Sequence, residues 1–510
     1  MIQSLQLENF KAFGKRVNIP CAPITLIFGE NSAGKSSILQ ALCLLKQTRE
    51  SGESGAVFLP KVERGYVELG SFQEILFDHD LSRTLTIGVG FEPDKRFMEV
   101  FTLPESVVSD ILGGSLALEL SLSRRTLRQD IHLESIGISF GDAKGRFARF
   151  KPLKAGARKG ADRSLSGSSV ARCYWITEDP DDWRRFFEVF LRIRERLLPI
   201  LKEIDDIALG FNRIDEKTRK RRDAEFNRGM RVYSSDLTLD GFVRETQKRF
   251  MKTSIVLDGF VPIGQYRSPF LPLLMDIGKI AVMAGEILNA RLRDYFPMGP
   301  IRKVPERWYI YSGTAAKNVG PRGESLPNLL FRSPELLKAA NRWLKRLHIG
   351  YQMKVIPLGP RYKDLLEVML MDSRQNSKVE VNLCDVGFGI SQILPFIIQS
   401  LAGREQVISI EQPEIHVHPK LQADLGDLIA HTIKKPYNHQ FLIETHSEHL
   451  ILRIQRLIRE KKLRPDEVSV LFISQGRDGS NVQRLRLDEE GDFIDDWPGG
   501  FFPERLRELR

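Results

Sequence analysis

The chain has 510 residues, more than one ordinary domain needs and enough to bury a substantial core. At 42% hydrophobic and 28% charged residues, it has a globular composition, which excludes wholesale disorder and a collagen-like fibre. Lys and Arg total 76 against 66 Asp and Glu, a net charge of +10 that hints at an acidic partner such as nucleic acid. Four cysteines, Cys21, Cys43, Cys173 and Cys384, lie far apart with no CxxC pair, so they read as reduced thiols of a cytoplasmic protein. No segment reads as a signal peptide or a bilayer span, and no membrane association is expected.

In chain order, Ile2 to Phe10 alternates like a strand, ITLIF at 24–28 is a short apolar run, and Ser36 to Lys46 has helical spacing. TLTIGVGF, FMEVFTL, SLALELSL and IHLESIGISF then read as strands between turns. Residues 154–172 are Gly, Ser and basic residues without apolar periodicity, which suggests a basic loop. From 181 to 252 the pattern is helical and charged, with Lys217, Arg219, Lys220, Arg221 and Arg222 clustered, and an apolar helix is expected over 271–296. From 352 onward strands and helices alternate: strands near 364–370 and 379–384, a helix from 389, VISI at 407–410, a helix to 434, FLIE at 441–444, another helix, and VSVLFI at 468–473. The simplest reading is an α/β domain whose halves lie at the chain ends, split by a large mixed strand and helical insertion.

The strand at 24–28 runs into Gly29-Glu30-Asn31-Ser32-Ala33-Gly34-Lys35-Ser36, which satisfies GxxxxGK[ST], with Ser37 continuing into the helix. The spacing has a physical reason. Such a loop turns its backbone N–H groups toward phosphates, and the helix N-terminus adds its dipole. Lys35 supplies a point charge to the β and γ phosphates, and the Ser36 hydroxyl can ligate Mg²⁺. ATP and Mg²⁺ are the ligands this pattern calls for.

A phosphate loop of this kind needs an acid at the end of an apolar strand to hold the metal. Val407-Ile408-Ser409-Ile410-Glu411 meets that need and is followed by Gln412-Pro413-Glu414-Ile415-His416-Val417-His418-Pro419. Phe441-Leu442-Ile443-Glu444-Thr445-His446-Ser447 places a polar cluster at the end of a second apolar strand. Between insertion and acid strand, Asp385-Val386-Gly387-Phe388-Gly389-Ile390-Ser391-Gln392 is a glycine-serine turn opening a helix.

These four motifs, in this order, resemble the ABC-class ATPases. Closer still, they resemble the RecF-like and SMC-like enzymes and the OLD (overcoming lysogenization defect) family, whose acid-strand motif IEQPEIHVHP at 410–419 approximates. The resemblance covers about 1–80 and 350–475. Trp497-Pro498-Gly499-Gly500-Phe501-Phe502 also resembles the WPxGFF tail of an OLD-like bacterial subgroup, and MGPIR at 298–302 and VGPRGE at 319–324 match it loosely.

The resemblance implies an ABC-class head working as a homodimer. Each nucleotide would be bound by one protomer's phosphate loop and by Gly387, Gly389 and Ser391 of the other. Glu411 would hold Mg²⁺ with Ser36, His446 would sense the γ-phosphate, and Gln73 is the candidate glutamine-loop residue contacting Mg²⁺ and nucleotide. The family usually has a second Glu after the magnesium acid as general base. Here that place is Gln412, which can orient water but not readily take its proton, so hydrolysis is expected to be slow unless stimulated, with Glu414 or His446 assisting. His416 and His418 form an HxH without further Cys or His to complete a metal set, and fit better in the loop after the acid strand.

The expected organisation is 1–153 as the first half of the head with a strand-rich lobe, 154–350 as basic loop and helical insertion for dimerisation or partner binding, 351–475 as the second half, and 476–510 as tail. Segments 154–172 and 217–222 could neutralise nucleic-acid phosphates or simply be solvated; Arg302 and Arg307 are candidates for an anion or a neighbouring subunit. Only about 35 residues follow the last predicted strand, too few for the Toprim nuclease of many OLD proteins, so any nuclease or toxin effector is expected on a separate protein. The resemblance implies the regulatory ATPase of a bacterial anti-phage system. A DNA-clamping repair or chromosome-maintenance ATPase and a non-hydrolysing scaffold are the alternatives.

Overall fold

The computed structural model describes residues 1–51, 58–63, 65–92, 116–124, 131–140, 148–152, 173–175, 254–255, 284–311, 313, 316–373, 379–500 and 502. The basic segments 154–172 and 217–222, the strand expected at FMEVFTL, and the helices expected over 181–252 lie outside them. The chain divides into two compact units: residues 1–79 with 291–510, and the intervening residues 80–290.

In the first unit, β1 (Ile2–Glu8) pairs antiparallel with β2 (Val17–Pro20), and β3 (Ile24–Gly29) leads into the phosphate loop. The second unit contains β4 (Leu85–Phe91), β5 (Leu116–Ser123), β6 (His132–Phe140), β7 (Ala148–Pro152), β8 (Cys173–Trp175) and β9 (Ser254–Ile255), each antiparallel to the next. This ladder continues across position 153, where the sequence reading drew a boundary.

The chain then returns to the first unit with β10 (Tyr295–Met298) and β11 (Tyr309–Ile310), followed by β12 (Tyr351–Pro357), β13 (Leu365–Asp372) and β14 (Glu380–Asn382). Strands β11 to β14 make a small antiparallel sheet around β13. The remaining strands are β15 (Val407–Glu411), β16 (Gln440–Glu444), β17 (Val468–Gly476) and β18 (Gly479–Leu485).

The central sheet has the order β10-β15-β16-β3-β17-β18, parallel except for the last pair. Residues 291–350, assigned by sequence to the insertion, therefore contribute an edge strand here, because Tyr295 to Met298 pairs in register with Val407 to Ile410. Strands β3, β15 and β16 are buried along nearly their whole length, which is why their sequences run apolar instead of alternating. Parallel pairing brings their carboxyl ends to one edge, where open α/β sheets place their ligands.

Buried hydroxyls and amides fix the register. Tyr295, 1% exposed, sets its hydroxyl 2.6 Å from Ser409 Oγ on β15 and 3.5 Å from Cys43 Sγ on the helix Lys35–Glu50. Gln440 accepts from the Ile2 backbone N–H at 2.9 Å and donates to the carbonyls of Ile2 and Ala22, tying the first strand to β16. Cys21, Cys43 and Cys384 are free, and burial pushes the Cys21 and Cys43 thiols up to about 12.

The WPGGFF tail finishes this core. Trp497 packs edge-on to Phe28 at 5.3 Å, Phe472 at 5.8 Å and Phe493 at 5.3 Å, and lies 5.5 Å from Phe502. Phe28 is the residue before Gly29, so the tail buttresses the strand that presents the phosphate loop. Among the described residues no helix is long and apolar enough to cross a membrane.

One core histidine gives the fold a pH signature. His439 is fully buried between Tyr437 and Phe441, and its Nδ1 accepts from the Gln406 backbone N–H at 3.2 Å. Burial lowers its pKa to about 4. The unfolded chain therefore binds this proton first, and stability present above pH 6.5 is lost as pH falls toward 4, by up to about 3 kcal/mol. Denaturant titrations of wild type and His439→Gln across that range should show the variant with a flatter pH dependence; equal slopes would exclude this origin.

Candidate functional site

The loop after β3 is shaped by close approaches. Gly29 sits at φ 141°, and a Cβ there would lie 2.0 Å from the Ile473 carbonyl on neighbouring β17, so only glycine fits. Ser32 and Gly34 are also left-handed, at φ 61° and 92°, and Gly34 caps the helix Lys35–Glu50. Lys35 folds back over its own loop, donating to the Gly29 carbonyl at 3.1 Å and the Glu30 carbonyl at 2.7 Å. Burial pushes its ammonium below the ordinary lysine range, opposed by Glu444 and Glu30. Asn31, Ser32, Gly34, Lys35, Ser36 and Ser37 line an open cavity of about 600 Å³, while Ala33 is buried beneath.

Two carboxylates stand at the neighbouring strand ends. Glu411 on β15 and Glu444 on β16 are Cα partners in the parallel register. The nearby Ser36 hydroxyl favours the charged form of both. Burial, and after it the neighbouring Glu444, raise the Glu411 carboxyl to about 7 against the opposing pull of Arg302, Ser36 and Lys11. Burial raises Glu444 as well, against Ser36 and Lys35, and its Oε2 is buried without a hydrogen-bond partner. Two crowded acids, a hydroxyl and an orphaned carboxylate oxygen form a hard, anionic oxygen set that fits Mg²⁺, an ion that usually takes few protein ligands and completes its shell with water and phosphate. Among the described residues no cluster of three or more His, Cys, Asp or Glu offers an alternative metal cage.

The loops beyond these strands are laced together. Gln412, left-handed at φ 47°, donates its N–H to the Glu444 carbonyl at 2.7 Å and lines the cavity. Glu414 accepts from Thr445 Oγ1 at 2.8 Å and from the His446 N–H at 2.6 Å, so its carboxylate clamps the two loops. His446 lines the cavity, and burial and Lys35 lower its pKa, favouring a neutral ring.

The glycine-serine turn lies elsewhere. Gly387 caps the helix Phe388–Leu401, Ser391 is buried and donates to the Phe388 carbonyl at 2.8 Å, and none of Gly387, Gly389 and Ser391 lines the cavity of its own chain. A Cβ on Gly389 would lie 2.2 Å from the His416 carbonyl, so this turn packs against the loop after β15. His416 meets Phe388 edge-on at 5.1 Å and His418 caps the helix Pro419–Thr432, accepting from the Lys420 N–H.

Other expected residues have different neighbours. Gln73 is not among the cavity-lining residues; its amide donates to the His79 carbonyl at 3.1 Å. Arg302, read from sequence as a candidate for an anion or a neighbouring subunit, is 2% exposed and donates to the carbonyls of Pro300 at 3.0 Å and Glu411 at 3.3 Å. So little exposure makes it a buried brace behind the acid strand, not open to a partner; Glu414 and Glu411 oppose the lowering that burial imposes on its pKa. Arg307 makes a two-pronged pair with Asp385 beside the glycine-serine turn, at 2.8 and 3.1 Å.

Sequence reasoning missed Glu444 as a site residue. The signal was present, since FLIE ends on an acid just as VISIE does. Lys11 and Gln40, hydrogen-bonded to each other at 2.8 Å, also line the cavity with Glu74, Leu76, Asp78 and His79, and no motif marks them.

Known proteins place the chain. A family model described as an AAA ATPase domain matches residues 1–224 and 329–451, together more than half of the chain and split by an intervening segment. No curated protein matches. Similar solved structures include an Smc head domain with an extended coiled coil bound to the C-terminal domain of ScpA, from Pyrococcus furiosus, at 14% identity and TM-score 0.38, covering 95% of this chain and 96% of that one. An SMC head domain from Thermotoga maritima shares 9% identity at TM-score 0.37, covering 95% and 99%. The two-segment match, which takes in the phosphate loop and both strand-end acids, identifies the chain as a member of the AAA ATPase domain family.

Proposed function

We propose that the protein binds and hydrolyses ATP with Mg²⁺ as an ABC-class head. The observation that carries this reading is the convergence of Lys35, Ser36, Glu411 and Glu444 at one edge of a parallel sheet. Ser36, Glu411 and Glu444 would hold the metal, which supplies charge neutralisation between the β and γ phosphates. Lys35 rests on two loop carbonyls and exchanges them for phosphate oxygens. Gln412 orients water, but it takes no proton. Glu414 is spent on Thr445 and His446 and is not free to act as the general base, so turnover is slow without a stimulus.

Gly387, Gly389 and Ser391 stand outside their own cavity, which supports a homodimer whose second copy completes each site and opens again after hydrolysis. Resemblance to OLD-like ATPases supports a role as the regulatory subunit of an anti-phage defence system acting on a separate nuclease or toxin. Nucleic-acid contact through 154–172 and 217–222, as in a DNA-clamping ATPase, rests on sequence charge. The engaged Glu414 and the Gln at 412 favour one second reading, a scaffold that binds ATP without hydrolysing it.

Three substitutions test the site. Lys35→Ala should weaken Mg-ATP binding, measured by calorimetry, about ten- to hundredfold, the worth of a lost charge-assisted contact; affinity within threefold of wild type would remove the phosphate-loop reading. Glu444→Gln should raise the Mg²⁺ concentration needed for half-maximal hydrolysis several-fold, and an unshifted Mg²⁺ curve would exclude Glu444 from the metal set. Gln412→Glu should increase kcat, by up to about a hundredfold if it restores a general base; an unchanged or lower rate counts against the assigned water-side role. Purification with neighbouring gene products separates defence subunit from repair enzyme, since a co-eluting nuclease or toxin supports the former and stimulation by DNA ends alone the latter.

A further inference from the structure

The short segment 72–79 forms the cavity wall facing the phosphate loop, and its geometry singles out a residue that no motif marks. Gln73 and His79 are joined by two reciprocal bonds. Gln73 Nε2 donates to the His79 carbonyl at 3.1 Å, and His79 Nδ1 lies 3.1 Å from the Gln73 carbonyl. A carbonyl only accepts, so Nδ1 carries a proton, and in that tautomer the lone pair lies on Nε2. Asp78 and His79 are both left-handed, at φ 55° and 56°, an uncommon conformation for non-glycine residues and rarer for two in succession. The first strand's turn holds the segment in place: the Lys11 N–H donates to the Ile75 carbonyl at 2.8 Å and the Phe77 N–H to the Asn9 carbonyl at 3.2 Å. Backbone strain maintained by its surroundings is a mark of functional segments. The outcome is that His79, not Gln73, lines the cavity shared with Ser36, Glu444, Gln412 and His446.

We propose that His79 is a water-positioning residue of this site, its Nε2 accepting a hydrogen bond from a water at the phosphate end, and that Gln73 is a positioning residue that fixes the ring. The argument for water is chemical. Phosphate oxygens accept and do not donate at neutral pH, so an imidazole nitrogen with a lone pair needs a donor, and Ser36, Glu444 and His446 of the phosphate end line the same cavity. With Gln412 unable to take a proton and Glu414 engaged, a second group orienting water is what this site lacks. The inference rests on the ATPase reading above.

The test compares full-length wild type, His79→Ala, His79→Gln and Gln73→Ala by steady-state ATPase assay, Mg-ATP calorimetry and thermal midpoint. His79→Ala should lower kcat about tenfold, the worth of one transition-state hydrogen bond, with ATP affinity within threefold. His79→Gln keeps an acceptor and should recover at least half of the lost rate, while Gln73→Ala should give a smaller fall in kcat and leave affinity unchanged. All four should melt within a few degrees of one another, His79 being exposed. A wild-type kcat in His79→Ala overturns the proposal. So does a loss confined to affinity, which would make His79 a phosphate ligand, or a His79→Gln no better than alanine. Failure of the underlying reading looks different: the wild type then shows no Mg-ATP binding and Lys35→Ala changes nothing. A wild type that binds ATP without turning it over removes His79's task while leaving the site's ligand intact.

Discussion

Two carboxylates side by side, Glu444 buried and Glu411 half-buried, are the constraint around which the first unit is arranged. Glu411 and Glu444 end adjacent parallel strands in register; burial favours the protonated form of both, and the charge of Glu444 adds to the rise at Glu411. Such a pair is stable near neutrality only if positive charge stands nearby. Lys35 supplies some from the phosphate loop and Arg302 more from behind, and the remaining demand is for a cation bridging the acids to a ligand. A site short of positive charge until metal and nucleotide arrive together is suited to bind the two as one unit.

The loops around that pair are fastened to each other and to the strand end of β16. Gln412 bonds to the Glu444 carbonyl, and Glu414 bonds to Thr445 and His446, so the segments after β15 and β16 form one body. The helix Phe388–Leu401 touches this body where Gly389 meets the His416 carbonyl, and Gln392 accepts from the Arg302 N–H at 3.2 Å. Packed backbone and a buried arginine thus connect the glycine-serine turn to the acid strand. This contiguity gives the proposed dimer switch a physical path.

The aromatic tail acts on the opposite side of the phosphate loop. Phe28 is held by Trp497 and Phe502, and Gly29 is held against Ile473, so the loop begins from a fixed strand end. Rigid support beneath and linked loops above leave Lys35, which rests on exchangeable carbonyls, as the adaptable member.

Much of this was legible in the residues themselves. The phosphate loop, the apolar strands ending in Glu411 and Glu444, and the helix from Phe388 each announce themselves through local pattern, because burial on both faces imposes apolar runs and phosphate binding imposes glycines at fixed spacing. The N-terminal and C-terminal halves of the ATPase domain could be matched for the same reason. The tertiary structure alone decided that Arg302 faces inward, that Glu414 is a clamp, and that His79 occupies the wall where Gln73 was expected. Those outcomes depend on which loops meet across hundreds of residues of chain, and on backbone turns at Asp78 and Gln412 that no side-chain pattern encodes. Composition suggested an acidic partner for the +10 chain, whereas the folded site concentrates negative charge at its centre and draws its need for cations from two glutamates that the fold places side by side.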